Sequence, residues 1–307
     1  MAMDNENITG LGNETGSHGD PDLTPYLLGL FIAFSSVILN GFLLLVLARE
    51  RKSFLHMRVT YYIINLGVAD LLTGALIFFL VMTRVFYIDV SPFFETIMVI
   101  LNWTTLQCSF YTLLMMSFDR LVLVLYSLSW SRILTIPRTV SSIVACWLVS
   151  IVGGICMYFY SVETRLAILG FVEVSILIFV CNTLFIYPVL KKREKARCVT
   201  TVSQTQSDVS IQIRRVSNPI RYDHMSRVVI TLIVLLIVTQ LPFIICMQLK
   251  LVHELSGCRY AQIVLTDSFE KAFTYTQAFA GLNFAINPII YGWRVKKYRE
   301  AFSNTLC

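Results

Sequence analysis

Residues 60–83 read TYYIINLGVADLLTGALIFFLVMT, and Asp70 is the only charged side chain among them. A helix needs about 20 predominantly apolar residues to cross the hydrocarbon core of a bilayer, so this stretch is long enough to span one. The rest of the chain points the same way. Its 307 residues are 56% hydrophobic and 14% charged, with a mean hydropathy of +0.69. A soluble domain is roughly 45–50% apolar and about 25% charged, and disordered or collagen-like chains are further away still. Eight cysteines in 307 residues are too few for a small disulfide scaffold. The composition is that of an integral membrane protein.

Six more stretches of spanning length flank this one: 26–48, 96–126, 140–160, 166–190, 226–249 and 272–293. The predicted fold class is an all-α membrane protein, a seven-transmembrane helix bundle over 26–293. A polar tail, 1–25, precedes it, and 294–307 follows it. The stretch 96–126 is the longest and is expected to tilt or to run past the bilayer. The last, 272–293, is the least apolar: Thr274, Thr276, Gln277, Asn283 and Asn287 lie inside it. So many polar groups should face other helices or water. The tail is acidic and has no cleavable-signal pattern, so 26–48 reads as a signal anchor. Residues 294–302, RVKKYREAF, read as a basic amphipathic eighth helix lying on a membrane surface.

Seven spans put the two ends on opposite sides of the membrane. Connections 49–58, 119–138 and 191–227, with the end 294–307, hold 20 Lys/Arg and 6 Asp/Glu. The tail 1–25 and connections 84–95, 161–165 and 250–271 hold 5 and 11. The basic set belongs on the cytoplasmic side, which predicts an extracellular N-terminus and a cytoplasmic C-terminus. The net charge of +6 is therefore topological and is not a nucleic-acid footprint. Asn7-Ile8-Thr9 and Asn13-Glu14-Thr15 are glycosylation sequons in the outer tail. Asn102-Trp103-Thr104 has the same pattern inside a span, where it should go unused.

A charge within the bilayer costs at least about 2.5 kcal/mol on insertion scales, so Asp70 is a functional candidate. The plainer reading is a protonated acid bonded to its neighbours. Asn40, Ser109, Asn283 and Asn287 fall at similar depth, and oxygen-rich groups around one carboxylate suit a hard monovalent cation or a proton. Asp119-Arg120 closes the third span; alone, such an arginine could be one snorkelling to the interface. Pro288, in Asn287-Pro288-Ile289-Ile290-Tyr291, removes a backbone hydrogen bond and needs a polar neighbour for the freed carbonyl.

These motifs come in a fixed order: Asn40, Leu66-Gly67-Val68-Ala69-Asp70, Asp119-Arg120, Trp147, Pro242, Asn287-Pro288-Ile289-Ile290-Tyr291 and a basic eighth helix. Over about residues 26–302 the chain resembles the rhodopsin-like (class A) G-protein-coupled receptors. The resemblance implies a plasma-membrane receptor, not an enzyme, with no cofactor beyond an allosteric Na⁺. It implies a sodium pocket of Asp70, Ser109, Asn283 and Asn287. Arg120 would meet the G protein when the sixth span swings outward, with Tyr187 and Tyr291 closing on it. Trp147 would be the structural tryptophan of the fourth span, and Tyr298 the aromatic that opens the eighth helix. Heterotrimeric G protein, arrestin and receptor kinases are the implied partners, beside an extracellular ligand and membrane lipid.

Several positions depart from the family pattern. Leu121 replaces the tyrosine of Asp-Arg-Tyr, Gln240 replaces the sixth-span tryptophan, and Tyr222 stands where an acid would hold Arg120. The fifth-span proline is Phe179. These changes predict weakened restraint of the resting state. Glu95 occupies the position of the usual third-span cysteine, while Cys246, before 250–271, and Cys258, within it, are a candidate disulfide. Cys246 reads equally well as a small buried hydrophobe. A short second outer loop and terminal Cys307, a palmitoylation candidate, add a partial resemblance to the melanocortin-like group.

Asn102 stands where amine receptors carry an aspartate, which argues against an amine ligand. Glu95, Glu173, Arg84 and Arg165 are candidate polar anchors near the outer side. The loop 191–227 is basic at both ends, and Ser203, Ser207, Ser210 and Ser217 are phosphorylation candidates. Two other classes share some of these features. A secondary transporter also uses intramembrane carboxylates, but repeated halves are absent from this sequence. A receptor-shaped partner that does not signal has the same motifs and differs only in coupling.

Overall fold

The computed structural model describes residues 23–126, 130–203, 209–256, 264 and 266–306. Among these the secondary structure is helical: α1 (Thr24–Arg49), α2 (Arg51–Phe54), α3 (Arg58–Val85), α4 (Pro92–Leu125), α5 (Trp130–Ile133), α6 (Ile136–Phe159), α7 (Val162–Ser203), α8 (Val209–Ser256), α9 (Asp267–Arg294) and α10 (Lys296–Leu306). Local chemistry sets several starts. Ser91 accepts from the Phe94 backbone N–H at 3.4 Å with Pro92 in the first turn of α4. Thr266 does the same for Phe269 at 3.2 Å ahead of α9. Each supplies an acceptor to a backbone donor that has no partner within the helix.

Six helices are long and apolar enough to cross a bilayer: α1, α3, α4, α6, α7 over Val162–Val189, and α8 over Arg227–Leu255. The seventh, α9, has 28 residues and is more polar, as the run of Thr, Gln and Asn predicts. It packs between α1 and α8 and buries Asn283 and Asn287. The outer surface is apolar; Phe31 and Leu184 are each 70% exposed, as suits side chains that face lipid. α4 is the central strut. Of its most apolar stretch 72% is buried, against 22–44% for the other five. It touches α3, α6, α7 and α8.

The ends of the helices differ from the sequence expectation. The connection expected at 161–165 is reduced to Tyr160 and Ser161, because α7 already begins at Val162. Ser161 initiates it: its carbonyl accepts from the Arg165 N–H at 3.1 Å. The expected loop 191–227 is helical through Ser203 and again from Val209. Lys, Arg, Glu and Ala are good helix formers, so a charged run need not break a helix. α8 likewise continues to Ser256. In consequence α4, at 34 residues, is shorter than α7 and α8, at 42 and 48. The eighth helix begins at Lys296, since Arg294 ends α9.

Candidate functional site

Four helices converge on Asp70, which is fully buried. Ser109 Oγ of α4 donates to Oδ1 at 2.5 Å, and Asn287 Nδ2 of α9 donates to Oδ2 at 2.7 Å. From α1, Ser36 Oγ donates to the Asp70 carbonyl at 3.1 Å. No lysine or arginine pairs with the carboxylate among the described residues. Asn40 is not bonded to Asp70. Its Nδ2 donates to the Phe284 carbonyl at 2.8 Å and to the Ser36 carbonyl at 2.9 Å. Phe284 is four residues before Pro288, so its carbonyl is the one the proline leaves without a helical donor. Asn40 satisfies it and thereby ties α1 to α9. The Oδ1 atoms of Asn40, Asn283 and Asn287 are buried with no donor among the described residues. Oxygen acceptors of this kind, together with a carboxylate, are the donor set that suits a small hard cation.

A second polar centre lies toward the other end of α4. Asp119 Oδ1 accepts from Arg58 Nη1 of α3 at 2.8 Å, and its Oδ2 accepts from Arg120 Nη2. The side chains are 10%, 2% and 2% exposed for Arg58, Asp119 and Arg120. One carboxylate thus carries two guanidinium groups, and Arg120 Nη1 has no acceptor among the described residues. On α9, Tyr291 is fully buried and its ring lies 5.8 Å from that of Tyr298. Tyr298 packs at 4.7 Å on Phe54 of α2. Lys297 donates to the Ser53 carbonyl and sits 4.5 Å over the Phe54 ring, pinning α10 against α2. Between the two centres, Asn65 joins three helices. Its Oδ1 accepts from Trp147 Nε1 at 2.8 Å and its Nδ2 donates to Thr112 Oγ1 at 2.7 Å.

A cavity of about 150 Å³ opens near the start of α1 and the end of α3, lined by α1, α3, α4, α8 and α9. Asn102 and Gln240 line it; Glu95 and Glu173 do not. Gln240 Nε2 donates to the Ala280 carbonyl at 3.0 Å, holding α8 against α9 where the family pattern has an indole. Ser36, already bonded to Asp70, also lines the cavity.

The structure therefore gathers Asp70, Ser109 and Asn287 by direct bonds and places Asn283 one helical turn away. Pro242 lies within α8 and Pro288 within α9. Tyr187 is 58% exposed on α7 and does not share the burial of Arg120. Cys246 carries a free thiol and packs beside Phe273 against Val264 and Phe269; its expected partner Cys258 lies outside the described residues. So do Asn7, Asn13 and Cys307, and the side chain of Tyr222. Arg58 is the functional candidate that sequence reading missed. Residues 39–167, from the middle of α1 to the start of α7, match the family model described as 7 transmembrane receptor (rhodopsin family).

Proposed function

We propose that the chain is a seven-transmembrane receptor of the rhodopsin family that its residues 39–167 match, and that it binds an extracellular ligand and activates heterotrimeric G proteins through Arg120. Receptors of this family are generally not enzymes. The observation that carries the coupling half is the buried Arg58–Asp119–Arg120 cluster at one end of α4. A guanidinium held inside on its own helix's carboxylate is available to another partner once the helices separate. The ligand half is supported by the cavity at the opposite end, whose floor reaches Gln240 and Ser36.

The charge asymmetry of the connections supports an extracellular N-terminus and a plasma-membrane orientation with Arg120 on the cytoplasmic side. The acceptors around Asp70 support an allosteric Na⁺ there, with Asp70, Ser109, Asn283 and Asn287 as the residues that would hold it. Arrestin and receptor kinases are proposed as further partners, on the family's general behaviour alone.

Arg120→Ala tests the assignment. The variant should reach the cell surface at the parent's level and lose stimulation of nucleotide exchange on G protein. Normal exchange in that variant would refute the role given to Arg120. A parent that drives no exchange on any G-protein type, with or without ligand, would leave the receptor-shaped, non-signalling reading in its place.

A further inference from the structure

The walls of the cavity leave room only for a slender guest. Gly29, Ala33, Ala278 and Gly281 line it, and the space measures about 150 Å³. An apolar cavity of about that size stays dry and takes up a benzene-sized guest, whereas drug-sized ligands occupy sites of about 300–1,000 Å³. A folded peptide or a two-chain lipid is too large. The cavity is also long for its volume. Gly74 near the floor and Arg84 at the mouth both line it, and they are separated on α3 by about 15 Å at 1.5 Å rise per residue.

Its charge is one-sided. Among the described residues Arg84 is the one charged side chain in the lining, and no carboxylate is among them. It sits in the last turn of α3, exposed, with no hydrogen bond or ion pair among the described residues. Two other cations of the outer turns are already engaged: Arg165 bonds Glu254 at 3.0 Å and Lys250 bonds Glu270 at 2.8 Å. A guanidinium presents a planar fork of donors that matches a carboxylate with two parallel bonds. An ammonium ligand would meet only like charge. Deeper in the wall, Asn102 has a buried Oδ1 with no donor among the described residues. It marks the point along the slot where a hydroxyl on the guest finds an acceptor.

We propose that this cavity binds a small monocarboxylate with a slender apolar body, the carboxylate on Arg84 and the body between α1, α3 and α9. The proposal deepens the receptor reading above and rests on it for the consequence that binding changes nucleotide exchange. Gly29 offers the control for the body. A Cβ there would meet nothing nearer than the Ala278 Cβ at 3.9 Å, so a larger side chain can grow into the slot without displacing backbone.

The probes are octanoate and its neutral analogue octanamide, titrated against the thermal unfolding midpoint of the full chain in phosphatidylcholine nanodiscs. A ligand that binds only the folded state raises that midpoint in proportion to its occupancy. Octanoate should act at concentrations about tenfold lower than octanamide, equivalent to about 1.4 kcal/mol. Arg84→Gln, on an exposed side chain, should bring the two curves together, and Gly29→Leu should remove the response to both. Equal potency of the two probes in the parent, or an unchanged octanoate curve in Arg84→Gln, overturns the proposal. Octanoate binding with no effect on nucleotide exchange would leave this site standing and count against the receptor reading. Arg120-dependent exchange without octanoate binding would do the reverse.

Discussion

Asp119 holds Arg58 and Arg120 on separate oxygens of one carboxylate, so the buried cluster carries a net positive charge. The two guanidinium groups compete for the same acceptor. Removing the carboxylate should therefore release Arg120, and removing its competitor should tighten it. Asp119→Asn is expected to raise agonist-independent nucleotide exchange about tenfold, a shift of about 1.4 kcal/mol in the resting bias. It should also lower the folded yield, since two buried cations then lose their shared carboxylate. Arg58→Gln is expected to reduce agonist-independent exchange below the parent, because Asp119 can then give Arg120 both oxygens. Expression-matched exchange assays on the two variants settle the sign, and a rise in both would show that Arg58 restrains Arg120 cooperatively. Asp119-Arg120 was legible in the sequence because the dipeptide closes a span. Arg58 was not. Reading the span from Thr60 left Arg58 among the loop charges, and counting basic residues for topology cannot tell a buried guanidinium from an exposed one.

Helix by helix, the spans were written in hydropathy and the close approaches in glycine. α6 can reach α4 because Gly153 and Gly154 have no side chains. A Cβ at Gly154 would lie 2.8 Å from the Ile100 backbone carbonyl and would collide with Thr104 Oγ1 as well. Backbone cannot swing aside, so Gly154→Ala should force the helices apart. It is expected to cost about 1–3 kcal/mol as overpacking and to lower the melting midpoint and surface expression. The three atoms nearest a Cβ at Gly153 all belong to the Gln107 amide, the far end of a flexible side chain. Gly153→Ala should therefore be the milder variant, and the reverse order in melting experiments would contradict the packing described for α4 and α6. The helix ends were the least legible part. The polar first turn Val162-Glu163-Thr164-Arg165 and the charged run after Leu190 read as connections, since apolar content marks where lipid is and not where a helix stops. Gln240 was legible as a departure but not as a tie between α8 and α9, because its partner is a backbone carbonyl that no side-chain pattern announces.

Across the whole bundle, Asp70 is the point where bonds from three other helices meet. Ser36 lines the cavity and bonds the Asp70 carbonyl. Asn287, beside Pro288, bonds the Asp70 carboxylate and lies one turn before Tyr291. α1, α3, α4 and α9 meet there, so whatever occupies the acceptors around Asp70 bears on how those helices sit relative to one another. An uncompensated carboxylate at that depth is costly, which leaves protonation or a bound cation as its stable forms. If Na⁺ binds the resting arrangement in preference to the active one, linkage requires it to lower agonist-independent exchange. Exchange measured in sodium should then fall several-fold below exchange in N-methylglucamine at equal ionic strength. Asp70→Asn removes the charge, keeps the side-chain shape and can still accept from Ser109. It should abolish the difference between the two cations while preserving surface expression. Ser109→Ala, which removes one oxygen and leaves the charge, should weaken the sodium response without eliminating it. An equal response in parent and Asp70→Asn, or none in the parent, would make Asp70 a packing and proton-holding group whose bonds to Ser109 and Asn287 serve only to join the helices.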